Sequence, residues 1–206
     1  ADMPTSVNVI LPDNEPVNLI GDSHLRYSID GREFRVTAGA SFRANVAQIP
    51  ALVQAVREAL ALTGSEAVLD LYAGVGVLAA FAAPDASLVT VIDSYPPAVT
   101  DADANLADMD HVDVIEGAVE DVLPELDEDY AAAVLDPPSE GVSVDVIDML
   151  AARAIPRLVY VSSDPATLAR DGARLVRQGY HLRRVQPIDM HPQTYYIDAV
   201  AVFTRD

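Results

Sequence analysis

The apolar positions of this chain change period along its length, and the changes mark out its elements. Residues 6–11 alternate apolar and polar side chains, which predicts a strand. Residues 25–29 and 33–37 do the same on either side of Asp30-Gly31, a dipeptide suited to a tight hairpin turn because its backbone must take positive φ. Residues 46–62 then carry Val46, Ile49, Val53, Val56 and Leu60 at helical spacing, and Thr63-Gly64 is expected to close that helix. From Glu66 onward short apolar runs alternate with helical patterns. Strands are predicted at 67–71, 88–92, 112–115, 131–135 and 158–161, and helices at 77–83, 97–107, 119–123, 144–152 and 165–177. Two further strands, 182–187 and 196–203, complete the pattern. The runs are rich in Val, Ile, Leu and Ala, as parallel strands covered on both faces must be. The prediction is an α/β fold: a mostly parallel seven-stranded sheet with helices on both faces. A β-rich segment, residues 1–40, precedes the main domain at 41–206.

The first chemistry-bearing motif lies at the end of the first parallel strand. Val68-Leu69-Asp70-Leu71 runs into Tyr72-Ala73-Gly74-Val75-Gly76, an apolar strand, an acid and two glycines that open a helix. Glycines let the backbone approach a ligand closely at the strand end, where open α/β sheets bind. Asp93 ends the next strand and is placed to accept hydrogen bonds from both ribose hydroxyls of a nucleoside cofactor. Two glycines alone also close strand-helix turns that bind nothing. The spacing fits either a nicotinamide dinucleotide or S-adenosylmethionine, and the absent third glycine, near Ala79 or Ala80, disfavours the dinucleotide. The fourth strand of the series ends in Asp136-Pro137-Pro138, a rigid turn that fixes a carboxylate and carbonyls over the same crevice.

With these motifs in place the chain resembles the RNA 5-methyluridine (uracil-C5) methyltransferases. The likeness rests on residues 68–76 (VLDLYAGVG), 134–141 (VLDPPSEG), 159–171 (VYVSSDPATLARD) and 185–200 (VQPIDMHPQTYYIDAV), with 36–45 (VTAGASFRAN) leading in. It implies a Rossmann-like class I methyltransferase fold, S-adenosyl-L-methionine as cofactor and RNA, a tRNA or rRNA, as partner. Family members carry an N-terminal RNA-binding β-barrel and often an iron–sulfur cluster; residues 1–40 would correspond to the tail of the central β domain. In the family's chemistry a cysteine thiolate adds to C6 of uracil, C5 takes the methyl group, and a carboxylate removes the C5 proton before the cysteine leaves.

The resemblance places Arg43, Tyr72, Gly74, Gly76, Asp93 and Asp136 on the cofactor side, and Ser163, Asp198 and Asp136 on the catalytic side. The family's Ser-Cys-Asn-Pro is Ser162-Ser163-Asp164-Pro165, so a serine stands at the nucleophile position, and a hydroxyl is a weak nucleophile without a base. Asp198 stands for the base glutamate, one methylene shorter. Ser139 replaces an arginine, Arg43 a cofactor-contacting glutamine, Asp93 a glutamate, and Ala118 an acid or amide. Two alternatives follow: a non-catalytic homologue that binds cofactor or a partner, and an amino-group methyltransferase using Asp136-Pro137-Pro138. Ser139, where that class has an aromatic, argues against the second.

Composition narrows the partners. The formal net charge is −19, every one of the 13 basic residues is arginine, and there is no cysteine. Thiolate metal sites and cysteine nucleophiles are excluded, and four scattered histidines make no zinc site, so no metal is expected. An acidic surface repels phosphate, so RNA binding is expected to be weak; solubility or high-salt adaptation is the plain reason for such a charge. No apolar run reaches the ~18 residues of a membrane span, and residues 1–8 lack the basic start and apolar run of a signal peptide, so no membrane association and a cytoplasmic location are expected. Asp101, Asp103, Asp108 and Asp110 are expected on a solvated helix face and turn, Arg170, Arg174 and Arg177 on one helix face paired with carboxylates, and His191 at the surface. Of Tyr195 and Tyr196, both before Asp198 and able to stack a base, one is expected in the core of the last strand pair.

Overall fold

The computed structural model describes residues 5–12 and 14–205. Two antiparallel pairs come first: β1 (Val7–Ile10) with β2 (Pro16–Ile20), then β3 (His24–Ile29) with β4 (Arg32–Thr37). The Asp30-Gly31 turn takes φ of 46° and 82°, the doubly positive pair that a two-residue hairpin needs. β2 was not expected. Its side chains are almost all exposed, so burial left no imprint on its residue types.

α1 (Ile49–Leu60) ends earlier than predicted, at Ala61 in the left-handed region, where its N–H bonds the Arg57 carbonyl. The early stop brings Leu62 back onto the core before the next strand begins. The chain then alternates β5 (Ala67–Leu71), α2 (Val77–Ala82), β6 (Leu88–Asp93), α3 (Pro96–Leu106), β7 (Val112–Glu116), α4 (Val119–Val122), β8 (Ala132–Leu135), α5 (Val144–Ala152), β9 (Arg157–Ser162), α6 (Pro165–Arg177), β10 (His181–Ile188) and β11 (Asp198–Thr204).

Seven strands form one sheet in the order β10-β11-β9-β8-β5-β6-β7, parallel except for β11, which runs antiparallel to both neighbours. Alternation along each strand divides the core. Val68, Val91, Val134 and Val161 face α1 and α2. Leu69, Ile92, Leu135 and Tyr160 face α5 and α6. This is the predicted Rossmann-like class I methyltransferase architecture. Strand order reverses at β5, between β6 and β8, which opens a crevice at the carboxyl ends of these strands.

The β3–β4 hairpin shares the main core: Ile29 and Phe34 are buried in the cluster that holds Leu52 and Val68. Its clasp corrects the expectation for α3. Asp101 is fully buried, accepts from the Thr37 N–H and hydroxyl, and pairs with Arg35 at 2.7 Å. Asn105 accepts from the Arg35 N–H and donates to the carbonyls of Arg35 and Val75. The helix face that periodicity left to solvent is covered by a strand from 64 residues earlier. Asp108 is exposed and pairs with Arg32.

Candidate active site

The glycine turn is shaped by three special positions, spaced two apart. Tyr72, Gly74 and Gly76 take φ of 61°, 57° and 81°. A Cβ on Gly76 would sit 2.8 Å from the Leu106 side chain, and one on Gly74 3.3 Å from the Ser41 carbonyl, so both glycines serve close approach as well as turning. Asp93 at the end of β6 holds the turn from across the sheet. One carboxylate oxygen accepts from the Gly74 N–H at 2.8 Å and the other from the Tyr95 N–H at 2.9 Å. Each oxygen keeps further acceptor capacity. Gly74, Asp93 and Tyr95 line a cavity of about 780 Å³, within the range of small-molecule and cofactor sites. Its outer wall is the segment between β1 and β2: Ile10, Asn14, Glu15 and Pro16. The Tyr95 hydroxyl donates to the Asn14 carbonyl and fastens that wall. Sequence reasoning did not find this wall, because its residues form no motif and lie about 80 positions from Asp93.

Asp70 lies beneath the turn on the strand face of Val68. It is buried and neither carboxylate oxygen has a hydrogen-bond partner. Burial, and next the charge of Asp136, push its carboxyl up to about 8; Asp93 adds to this, and the Ala79 amide offsets part of it without reaching hydrogen-bond geometry. Burial raises the Tyr72 hydroxyl, with Glu120 and Asp171 adding to the effect.

The second half of the site is a charge cluster that the sequence did not announce. Arg43 grips Asp136 with two parallel bonds of 2.6 and 2.8 Å and reaches Asp198 through Nε at 3.2 Å. Burial alone would lower this guanidinium; Asp136 first, and then Asp198, outweigh it and hold it above its ordinary value. Asp198 is buried, and its second oxygen has no hydrogen-bond partner, with His191 Nε2 3.7 Å away. Ala199 pairs with Ser162 across β11 and β9, so Asp198 and Ser163 sit at adjacent strand ends. Ser163 is half-buried, and its hydroxyl bonds no group among the described residues. Asp164 does not serve it: its carboxylate caps α6, accepting from the Thr167 N–H at 2.6 Å.

Around this cluster the Ser139 hydroxyl donates to Glu140. Ala118 stands at the N-cap of α4 without a side-chain bond, and Glu120, the second residue of that helix, accepts from the Ser143 hydroxyl. His191 is at the surface, as expected. Arg170 pairs with Asp171. The expectation for the tyrosines is corrected: β11 begins only at Asp198, and Tyr195 and Tyr196 are both exposed in the loop before it. Among the described residues no group of three or more His, Asp or Glu is placed to hold a metal ion, and no helix is long and apolar enough to cross a membrane.

The crevice, the glycine turn and the acid at the end of β6 agree with what comparison finds. A family model, the Methyltransferase small domain, matches residues 50–160. The chain belongs to this family. As a methyltransferase domain it is 36% identical over 207 residues to an uncharacterized RNA methyltransferase of Enterococcus faecalis, covering 98% of this chain and 45% of the relative. Another uncharacterized RNA methyltransferase, from Thermotoga maritima, is 34% identical, covering 91% of this chain and 43% of that protein. The methyltransferase domain thus spans less than half the length of the curated relatives it matches. Among solved structures, it superposes on the Pyrococcus abyssi tRNA (uracil-54, C5)-methyltransferase in complex with S-adenosyl-L-homocysteine with a TM-score of 0.78 and 26% identity, covering 90% of this chain and 45% of that one. An rRNA methylase of Streptococcus thermophilus shares the fold, with a TM-score of 0.62 at 16% identity.

Proposed function

We propose that this chain is the S-adenosylmethionine-binding domain of an RNA methyltransferase laid out for uracil C5, with turnover held down by its own substitutions. The observation that carries the reading is convergence. Asp136, Ser163 and Asp198 come to one edge of the sheet, beside the crevice held by Gly74 and Asp93. The likeness to the tRNA (uracil-54, C5)-methyltransferase supports it.

The residues present fit the cofactor. Asp93 is already oriented by two backbone bonds and keeps acceptor capacity for a ribose, and the glycine turn leaves room for close approach. When bound, the cofactor supplies an electrophilic methyl group. Tyr72, Gly74, Gly76, Asp93 and Asp136 would hold it, with Arg43 acting through Asp136. On the substrate side Asp198 is the candidate base: Arg43 holds one of its oxygens, and the other, without a hydrogen-bond partner, is the one that would take a proton. Ser163 offers a hydroxyl where a thiolate would add, with no base hydrogen-bonded to it, so transfer would be weak.

The Arg43 clamp also favours a second reading, a homologue that binds cofactor without turning over, because it engages both candidate carboxylates. It counts against amino-group transfer, since both oxygens of Asp136 are already engaged.

Calorimetry with S-adenosylhomocysteine, followed by methyl transfer from labelled cofactor to unmodified RNA, tests the proposal. Binding is expected, with trace transfer that rises at least tenfold in Ser163→Cys, because a thiolate adds where a hydroxyl does not. Absence of cofactor binding overturns the proposal. Binding with no transfer by either protein selects the second reading.

A further inference from the structure

The loop between β10 and β11 carries a feature that the cofactor site does not use. Tyr195 and Tyr196 lie against each other with ring centroids 4.3 Å apart and planes tilted by 34°, their hydroxyls joined by a 2.8 Å hydrogen bond. His191 meets the Tyr196 ring edge-on at 6.1 Å. Tyr195 is 85% exposed and Tyr196 53%, whereas Tyr160 and Tyr180 are buried. Aromatic rings left this open forfeit the burial that ordinarily decides where tyrosine goes.

The loop is also tied by its own hydrogen bonds. Met190 anchors it in the core. The His191 carbonyl accepts from both the N–H and the hydroxyl of Thr194, and that hydroxyl accepts from the Tyr196 N–H. Gln193 supplies the positive φ of the turn. The rings are therefore presented by a preformed turn, two and three residues before the buried Asp198.

Charge decides between ligand chemistries. A strand of RNA offers phosphates and base faces. With a net charge of −19, and with Arg32, Arg35, Arg43, Arg57 and Arg170 engaged with carboxylates, this surface repels phosphate. Base faces remain, and stacking needs no charge and tolerates any base. Resting on the methyltransferase reading above, we propose that Tyr195 and Tyr196 form a stacking platform for an unpaired RNA base at the rim of the catalytic crevice. Affinity then comes from the rings and depends little on salt.

The test is anisotropy of a short fluorescent oligouridylate titrated with the full chain in the presence of S-adenosylhomocysteine. Truncating both rings, Tyr195→Ala with Tyr196→Ala, is expected to weaken binding about tenfold or more. The paired Phe substitutions should bind like the parent. Parent affinity should fall by less than about tenfold between roughly 50 and 200 mM salt, where a phosphate-driven binder loses far more. Unchanged binding after Ala substitution, loss on Phe substitution, or a steep salt dependence overturns the platform. Calorimetry of cofactor binding on the same preparations separates the two ideas: intact cofactor binding with RNA binding indifferent to both rings sinks the platform alone, and no cofactor binding sinks the reading beneath it.

Discussion

At the residue scale Asp70 is the least settled group in the molecule. Its carboxyl keeps its proton to about pH 8 in the folded chain and releases it near 3.8 when unfolded. Between those values the native state holds the extra proton, so stability falls as pH rises. The ceiling on this loss is roughly 6 kcal/mol, shared with the charges of Asp136 and Asp93. Thermal melts of the unligated protein should show its melting temperature dropping from about pH 5 to about pH 9, with Asp70→Asn flattening that slope and proving the more stable protein at the alkaline end. Parallel slopes for the two proteins would place the titrating group elsewhere. The motif that contains Asp70 was plain in the sequence, because a strand buried on both faces admits few residue types and an acid among them stands out. The Arg43 clamp was not. Its partners lie 93 and 155 positions away, and pairing across that distance leaves no periodicity to read.

At the element scale the last helix shows how local signals and function separate. Asp164 caps α6 through the Thr167 N–H, and Pro165 occupies the first helical position. Backbone hydrogen bonding from Thr167, more than any other cause, holds the Asp164 carboxyl below its ordinary value. The stability that this ionised cap contributes is present above the ordinary carboxylate range and is lost as pH falls through the lowered value. Asp164→Asn, an equally good cap, should melt like the parent at neutral pH and lose less on acidification. Asp164→Ala should melt lower at both. Circular dichroism melts at neutral and acidic pH decide it, and an Ala variant indistinguishable from the parent would remove Asp164 from the capping role. Such local chemistry is why the helix boundaries here were legible. β2 and the true start of β11 were not, since an exposed strand carries no burial pattern, and the apolar run of β11 merges with the Tyr-Tyr-Ile that precedes it.

At the scale of the whole molecule, charge dominates. Thirteen arginines face thirty-two carboxylates, and self-repulsion on this scale opposes the compact state. Screening should relieve it. The melting temperature is expected to climb steadily from low to molar salt as the screening length shrinks from about 30 Å towards about 3 Å. A flat or falling profile would mean that the attractive pairs, such as Arg32–Asp108 and Arg57–Asp85, outweigh the net field.

The Asn105 side chain has one further consequence. It bonds the Arg35 backbone on one side and the Val75 carbonyl, inside the glycine turn, on the other. Hairpin and turn are thereby joined through a single amide, with Asp101 closing the seam one helical turn away. They should open to solvent as one cooperative unit, their backbone hydrogens exchanging at a common rate that slows for both when the crevice is filled.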